Sequence, residues 1–411
     1  CRLRQGVFFH NSEPFNAESV RWSIMRQMDP ETGYPGRMEL ASIKDVRVVD
    51  PYVIEIETYQ PDGLLLHRLA IFVNILPPRY FVEAGLARFE EFPIGTGPFK
   101  FLSWEKGKAI HLIANENYWE KGLPKIKKVT FRFLPQEEQL SKLFEGQLDL
   151  VTEIPATNTQ KVAQNTHTKI VKRLVLTTPA FWFTSFAGPL SHQKVRQALN
   201  MAVDKERLIR YATLGNGRAI ATLSMKGEWG HNENLKPYPY SLKKAKKLLT
   251  QAGYPHGFSL TLLTTDQTSR EAGILAAQWE KLGVHTESTV LPLNDVHLLM
   301  VHKKKEFDIS ANLAPNPTAH MYFLPGVCFY SQSFFSRLKS LEFDQMYERL
   351  IHTVEPQEQL RIAKELDARI YDQALGIFTY QKIRTYALKR NLEINISVSG
   401  MLNLKSFYWK L

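Results

Sequence analysis

The sequence predicts a mixed α/β protein of two lobes with a cleft between them. In both halves of the chain, short apolar or alternating strands are followed by stretches with apolar residues at helical spacing. No internal repeat or low-complexity linker interrupts this alternation, and 411 residues are enough for two or three domains. Ligands usually bind in clefts between such units, so we expect a binding site between the lobes.

Two strands joined by a turn are predicted near the start of the chain. Ile54 and Ile56 alternate with glutamates, as in a strand that buries one face. Asp50 and Pro51 are typical turn residues between this strand and the one before it. The two predicted strands span residues 43–49 and 52–58.

A strand, a helix and a second strand are predicted later in the first half. Val129, Phe131 and Phe133 alternate with polar residues, and Gly146 separates a helical stretch from an apolar strand. Such a unit normally forms a right-handed crossover between parallel strands. The predicted strand, helix and strand span residues 129–133, 137–144 and 148–154.

The glycine-rich loop at residues 93–98 predicts a tight chain reversal with positive φ rather than a phosphate site. A phosphate loop would continue with Gly-Lys-Ser or Gly-Lys-Thr into a helix. In this chain Pro98 follows Gly97, and the next residues have the apolar character of a strand.

The second half contains further helices and strands in alternation. Asp204 and Ser241 stand where N-caps are expected, and Gly253 follows a helical stretch as a stop. The predicted helices are one with Val195, Ala198, Leu199 and Ala202 on its apolar face, then residues 205–211, 242–252, 269–282 and 295–304. The predicted strands are residues 258–265, 284–291 and 307–313.

The charge balance is basic, with 52 lysines and arginines against 41 aspartates and glutamates and a formal net charge of +11. A basic surface can bind nucleic acid or an anionic membrane. The lysine clusters lack interleaved aromatic residues on which bases could stack, so we interpret them as solvated faces and expect no nucleic-acid partner. The clusters lie at residues 125–128, 243–247 and 303–305.

The longest apolar stretch, residues 64–78, does not predict a membrane span. His67, Arg68 and Asn74 interrupt it, and it is shorter than the ~20 apolar residues that a spanning helix needs.

No pattern of catalytic or metal-ligating residues stands out. Cys1 and Cys328 cannot form a disulfide framework, and neither has a neighbouring histidine. His297 and His302 lie five residues apart on a predicted helix, a spacing that turns the two rings in different directions. We therefore predict a protein that is not an enzyme and has neither a cofactor nor a metal site.

A set of motifs in order along the chain resembles the large extracytoplasmic solute-binding proteins of ABC importers, in the peptide and nickel family called family 5. The glycine-rich loop at residues 93–99, followed by Asn-Glu-Asn-Tyr-Trp at residues 115–119, carries most of this resemblance. Further motifs that resemble the family lie at residues 3–10, 14–18, 48–52, 145–149, 195–204 and 245–254.

The resemblance implies a two-lobed, type II fold of the periplasmic-binding-protein kind, in which the lobes close on a solute. The first lobe would comprise residues 1–180, completed by residues 381–411, and the second lobe residues 181–380. A solute that contacts both lobes only in the closed form stabilises closure. In an importer, the membrane permease recognises that closed form.

Two departures from the family pattern affect these expectations. Cys1 falls inside the pattern, so the opening strands of the first lobe are expected to be missing from this sequence. Peptide-binding members also carry a tryptophan and an aspartate that anchors the amino group of the peptide. The matching stretch, residues 312–320, has Leu313 near the tryptophan position and no aspartate. Burying an ammonium group without a carboxylate is costly, which weighs against ordinary peptide recognition.

The resemblance also indicates where solute contacts are expected. Arg37, if it faces the cleft, would suit a carboxylate or another anionic ligand, although a solvated charge is the simpler interpretation. The aromatic candidates fit core or hinge packing equally well. The candidate residues are Tyr34, Arg37, Asn74, Trp182, Phe183, Asn312, Asn316, His320 and Tyr322.

The sequence therefore predicts the solute-binding component of an ABC importer. It would act as a monomer that captures a peptide or peptide-like solute and delivers it to permease subunits. It would be located in the periplasm, or it would be anchored to the membrane outside the cytoplasm. The alternative is a ligand-sensing domain of a cytoplasmic transcriptional regulator, because some regulators of sugar-phosphate stress resemble the same family over their C-terminal part.

Overall fold

The computed structural model of the protein describes residues 1–302 and 306–410. The helices and strands of the first 174 residues are α1 (Ala17–Met28), β1 (Ile43–Asp50), β2 (Val53–Thr58), α2 (Leu65–Phe72), α3 (Pro78–Glu91), β3 (Phe99–Glu105), β4 (Ala109–Ala114), β5 (Lys128–Arg132), α4 (Gln136–Phe144), β6 (Leu150–Val151), α5 (Thr159–Gln164) and β7 (Thr168–Leu174).

The remaining elements alternate in the same way and confirm the mixed α/β class. They are β8 (Thr177–Phe183), α6 (Gln193–Met201), α7 (Lys205–Thr213), β9 (Gly217–Ala219), α8 (Leu242–Gln251), β10 (Phe258–Thr264), α9 (Ser269–Trp279), β11 (Val284–Val290), α10 (Leu293–His302), β12 (Ile309–Pro315), α11 (Phe323–Phe329), α12 (Leu341–His352), α13 (Pro356–Asp372), β13 (Gly376–Ile377), β14 (Tyr380–Lys389), β15 (Leu392–Glu393) and β16 (Tyr408–Trp409).

A five-stranded sheet in the order β11-β10-β12-β8-β13 organises the second half of the chain. Strand β10 is parallel to β11 and β12, whereas β8 is antiparallel to β12 and β13. Every residue of β8 is buried. Because side chains alternate along a strand, Ala180 and Trp182 join one apolar cluster while Phe181 and Phe183 join another. The sheet is thus covered on both faces.

A second sheet connects the middle of the chain with its end. Its order is β6-β14-β7, and β9 also pairs with β14. The chain leaves this sheet after Leu174 and enters the five-stranded sheet at Thr177. It returns between Ile377 and Tyr380, so two neighbouring crossings join the two sheets.

A separate small core lies at the beginning of the chain, where α1 packs on the β1–β2 pair. The Asn16 side chain caps α1 by accepting a hydrogen bond from the Ser19 amide, and the Ser19 hydroxyl accepts one from the Asn16 amide. Ile24, Leu40 and Val46 are fully buried in this core. The predicted strand pair is confirmed, since β1 and β2 are antiparallel neighbours.

Most predicted helices and strands of the second half are confirmed within a few residues. Asp204 accepts from the Arg207 amide at 3.0 Å and begins α7, and Ser241 accepts from the Lys244 amide at 3.3 Å and begins α8. The predicted helix 295–304 corresponds to α10, but its last two positions lie outside the described residues.

The predicted crossover between parallel strands in the first half is wrong. Strand β5 pairs antiparallel with β4 in a three-stranded sheet, whereas β6 pairs antiparallel with β14. The strand, helix and strand are present, but the two strands belong to different sheets. Strand β14 arrives more than 200 residues later in the chain, so the local pattern could not reveal this partner.

The prediction of positive φ in the glycine-rich loop is also wrong, since neither Gly95 nor Gly97 has it. The loop instead presents backbone oxygens to neighbouring segments. The His10 amide donates to the Gly95 oxygen at 2.9 Å, and His10 Nε2 lies 3.0 Å from the Gly97 oxygen. Asn115 Nδ2 donates to the same Gly97 oxygen at 3.1 Å. The loop therefore joins the start of the chain to the end of β4.

Two glycines between α8 and β10 offer a test of the close packing at this turn. Gly253 and Gly257 both have positive φ, but a Cβ at Gly257 would lie 1.9 Å from the Gly283 oxygen, whereas a Cβ at Gly253 has open space. Gly253→Ala should lower the free energy of unfolding by about 1 kcal/mol from backbone strain alone. Gly257→Ala should lower it at least twice as much, because the turn must also move away from Gly283. Equal losses in urea unfolding would contradict the close approach.

Candidate ligand-binding site

Side chains from both sides of the two crossings meet at one place, which we call the seam cluster. The loop after β12 contributes His320 and Tyr322, and the segment between β9 and α8 contributes Trp229. Helix α2 contributes His67 and Arg68, and the short 3₁₀ turn at Arg37–Leu40 contributes Glu39. Aromatic, imidazole and charged groups thus converge from parts of the chain that are distant in sequence.

The loop after β12 is held in shape by the amide of Asn316, which is buried. Asn316 Nδ2 donates to Glu228 Oε1 and to the His320 backbone oxygen, both at 2.9 Å. Its Oδ1 accepts from the Thr318 amide at 3.0 Å and from the Thr318 hydroxyl at 2.8 Å. Ala319 has a φ of +52°, a conformation that L-residues other than glycine rarely adopt. The network keeps this strained turn in place and fixes the backbone of His320.

The ring of His320 is enclosed by other rings. It stacks on Trp229 with 4.5 Å between centroids and 25° between planes. The His67 ring meets it nearly edge-on at 5.0 Å, and Tyr322 lies 5.2 Å away. The Trp229 amide donates to the Ala319 oxygen at 2.8 Å, so the backbone also holds this pair together. Burial, with His67 and Arg68 nearby, lowers the pKa of His320 to about 3.

The other side of the seam cluster is an ion-pair network around Arg68. Its Nη1 donates to Asp62 Oδ2 at 2.9 Å, and its Nε lies 3.5 Å from Glu39 Oε2. The Tyr322 hydroxyl donates to the same Glu39 oxygen at 3.4 Å, and the guanidinium lies 5.7 Å from the Tyr322 ring. Two carboxylates therefore balance one guanidinium, and burial raises the pKa of Glu39.

Two carboxyl groups lie buried behind the seam cluster. Glu228 is the neighbour of Trp229, and burial raises its pKa to about 8. Its Oε2 has no hydrogen-bond partner among the described residues. Asp367 on α13 accepts from the Thr222 hydroxyl and the Asn232 amide, and burial raises its pKa to about 7. A neutral carboxyl group is the less costly form in such a place.

Two cavities in the protein have a volume of about 720 Å³ each. One lies beside the seam cluster and is lined by Lys226, Gly227, Glu228, Trp229, His231, Glu233, Asn234, Ala319, Leu360 and Lys364. The other lies between β5, β6 and the end of the chain, with a mainly apolar lining that includes Phe131, Phe133, Leu404 and Trp409. We favour the first as part of a solute site, because buried polar groups with shifted pKa values converge there.

The structure brings together three of the predicted site residues, namely Asn316, His320 and Tyr322. The candidates that precede the first crossing form hydrogen bonds outside the seam cluster. The Tyr34 hydroxyl donates to the Phe72 oxygen, and the exposed Arg37 donates from Nε to the Met28 oxygen at 2.8 Å. Asn74 is exposed, and its backbone bonds to the side chain of Gln27.

The candidates on the five-stranded sheet occupy different environments. Trp182 and Phe183 lie in the apolar clusters on opposite faces, and Trp182 Nε1 donates to the Phe335 oxygen at 3.1 Å. This is the packing position that sequence analysis gave as the alternative to a solute contact. Asn312, which pairs with Ala180 in the sheet, is only half-buried.

Sequence reasoning missed several members of the seam cluster. Trp229 and Glu228 stand in a segment without helical or strand periodicity, between Gly227 and Gly230. His67 and Arg68 did leave a signal, because they interrupt an otherwise apolar stretch. That interruption indicates polar contacts, but it does not reveal the distant partner.

Metal ligation and membrane insertion find no support in the described parts of the chain. No group of three histidine, cysteine or carboxylate side chains among residues 1–302 and 306–410 could hold a metal ion. Within the same residues, every helix is too short or too polar to cross a bilayer.

Comparison with known proteins places the chain among solute-binding proteins. The sequence model of the bacterial extracellular solute-binding proteins, family 5 (middle part), matches residues 1–333. Heme-binding protein A of Haemophilus influenzae is 28% identical over 408 residues, with 90% of this chain and 74% of that protein covered. Glutathione-binding protein GsiB of Salmonella typhimurium is 27% identical over 300 residues, with 70% of this chain covered; the chain spans only 57% of that protein.

The fold is also that of a solved structure. The structure of HbpA2 from Haemophilus parasuis matches with a TM-score of 0.83 and 22% sequence identity, covering 100% of this chain and 87% of that one. The expectation of a two-lobed fold of the periplasmic-binding-protein kind is thereby confirmed.

The buried Glu228 predicts a dependence of stability on pH. Because burial raises the pKa of Glu228 from its ordinary 4.5 to about 8, folding takes up a proton between these pH values. The free energy of unfolding should therefore fall as the pH rises from about 5 to about 8, by up to about 1.4 kcal/mol per pH unit from this group. Urea unfolding of Glu228→Gln should show a shallower decline.

The exposed Glu116 provides the matched control for this measurement. Glu116→Gln makes the same chemical change without altering a buried group, so it should keep the wild-type slope. Identical slopes in all three proteins would mean that Glu228 titrates as an exposed carboxyl does.

Proposed function

Since the chain belongs to the bacterial extracellular solute-binding proteins of family 5, we propose that it captures a peptide or peptide-like solute between two lobes for an ABC importer. The observation that carries this proposal is the seam cluster. It joins His67, Arg68 and Glu39 from before the first crossing with Trp229, His320 and Tyr322 from between the crossings. A solute held by both groups would favour the closed form over the open one.

The two lobes would be residues 1–180 with 381–411, and residues 181–380. The return of β14 to β6 and β7 supports assigning the chain end to the first lobe. The pairing of the whole of β8 with β12 supports a first crossing at residues 175–176, a few positions before Phe181.

The solute would contact the polar and aromatic groups of the seam cluster and of the cavity beside it. Asn316, His320 and Tyr322 are the predicted candidates that its geometry supports, and we add Trp229, His67 and Arg68. Asn312, Tyr34, Arg37 and Asn74 would contribute only if their side chains turn toward the solute. Trp182 and Phe183 would support the site by packing on the sheet beneath it.

The partners follow from the family. The closed protein would deliver its solute to permease subunits, and it would act as a monomer, without catalysis and without a cofactor. It would work outside the cytoplasmic membrane, either in the periplasm or held by a lipid anchor. The exposed lysines of α8 alternate with the buried Ala245 and Leu249, which supports a solvated helix face rather than a nucleic-acid surface. Residues 303–305 lie outside the described residues.

The family match and the relatives named above favour the importer function over the transcriptional regulator. Heme and glutathione, which two of those relatives bind according to their names, are included among the solutes to be tested. Glutathione is itself peptide-like and therefore falls within the proposed class.

Thermal unfolding with a solute panel tests the proposal. The panel contains di- to tetrapeptides, glutathione, heme, a nickel–histidine complex and sugars. A solute at ~1,000 times its dissociation constant stabilises the folded protein by about 4 kcal/mol, which raises the unfolding temperature by several degrees. We expect such a shift with a peptide or with glutathione.

The free amino acids that compose each active peptide are the matched control and should produce little shift. A shift with only sugars, or with no member of the panel, would contradict the proposed solute class.

A further inference from the structure

The hydrogen bonding of His320 reveals which of its ring nitrogens carries a proton. The Tyr322 amide donates to His320 Nδ1 at 3.1 Å, so Nδ1 must present a lone pair. A neutral imidazole has one N–H, which then lies on Nε2. The low pKa of about 3, caused by burial with His67 and Arg68 nearby, keeps the ring neutral at physiological pH.

This Nε2–H group is a buried donor without an acceptor. His320 is fully buried, and its Nε2 has no hydrogen-bond partner within residues 1–302 and 306–410. A buried donor left unsatisfied costs about 1–3 kcal/mol, and such groups are rare in folded proteins. Stacking on Trp229 explains a ring at this position, and the bond from the Tyr322 amide explains Nδ1, but neither contact uses Nε2.

Two of the rings that contact the His320 ring come from different parts of the chain. The Trp229 ring belongs to the same lobe as His320, but the His67 ring belongs to α2. Helix α2 packs on the small core at the beginning of the chain, so His67 is carried by a different core from the one that holds Trp229 and Tyr322. If the lobes separate as the proposed function requires, His67 would move away from His320 and the Nε2–H group would become accessible from the cleft.

We propose that His320 donates a hydrogen bond from Nε2 to an oxygen acceptor of the solute, a carbonyl or a carboxylate. This inference rests on the proposed function and specifies which chemistry the solute presents to residues 312–320. It reverses the polarity expected for an amine anchor, because a donor beside a guanidinium repels an ammonium group. The solute is therefore oriented with an acceptor oxygen toward Trp229 and His320.

The same geometry argues against His320 as the ligand of a metal complex. A histidine that binds a metal through one nitrogen usually donates a hydrogen bond from the other. Here Nδ1 accepts from the Tyr322 amide, so coordination at Nε2 would need either an imidazolate or the loss of that bond.

The variant His320→Asn distinguishes the roles of the two ring nitrogens of His320. Its amide oxygen can still accept from the Tyr322 amide, but nothing replaces the donor at Nε2. His285→Asn, on the exposed part of β11, is the matched control. Calorimetric titrations would use glutathione, trialanine with a free C-terminus and trialanine amide as probes.

We expect His320→Asn to bind an active probe at least about tenfold more weakly than wild type, while His285→Asn binds as wild type does. Equal losses with trialanine and its amide would indicate that a backbone carbonyl is the acceptor, and a loss confined to the free acid would indicate the carboxylate. Binding by His320→Asn as tight as wild type would overturn the inference and leave the proposed function intact. If wild type binds none of these probes, a peptide that stabilises it in the thermal panel and the amide of that peptide take the place of trialanine. If no peptide and no glutathione stabilises it, the proposed function fails and the inference fails with it.

A measurement on the wild-type protein keeps the test valid if His320→Asn does not fold. With ¹⁵N-labelled histidine, the His320 resonances should identify the Nε2–H tautomer before any probe is added. Addition of the bound probe should move the Nε2 proton downfield. A proton on Nδ1, or an Nε2 proton that does not move, would contradict the proposal.

Discussion

The burial of strand β8 on both faces is the constraint on which the rest of the structure depends. A strand covered on two sides must place apolar residues at successive positions, and residues 179–183 do so. Its antiparallel pairing with β12 sets the register and brings the loop after β12 close to Leu176. The backbone amide of Asn316 donates to the Leu176 oxygen at 2.7 Å. The crossing and the loop after β12 are therefore fixed by one and the same strand.

In the seam cluster, buried polar groups are stabilised in two ways, by ion pairing or by remaining neutral. Arg68 remains charged because Asp62 and Glu39 lie close to it. Glu228 and His320 instead have pKa values shifted toward their neutral forms by burial. At Glu228 the hydrogen bond from Asn316 offsets this only in part, and at His320 the nearby His67 and Arg68 add to it. The site is consequently rich in hydrogen-bonding groups and poor in net charge.

The sequence predicted the local elements better than their long-range partners. Helices such as α7 and α8 follow from apolar spacing and a capping residue, which act over a few positions. The crossover at β5 and β6 was misassigned because β14, the real neighbour of β6, is far away in the chain. For the site, the family resemblance indicated His320 and Tyr322, but Trp229 lies in a segment without periodicity. Its role depends on stacking against His320, which no local pattern encodes.

A neutral donor at the centre of the site has a physical advantage over a charged anchor. An aspartate that binds an ammonium group must lose its hydration when the cleft closes, and the desolvation of two charges offsets much of their attraction. A neutral imidazole that donates to an oxygen loses less hydration, yet its stacking on Trp229 and the bond from Tyr322 fix its direction. Specificity then arises from the position of the donor rather than from charge. The absence of an aspartate from residues 312–320 is thus compatible with solute capture, provided that the solute presents an oxygen rather than an amine to His320.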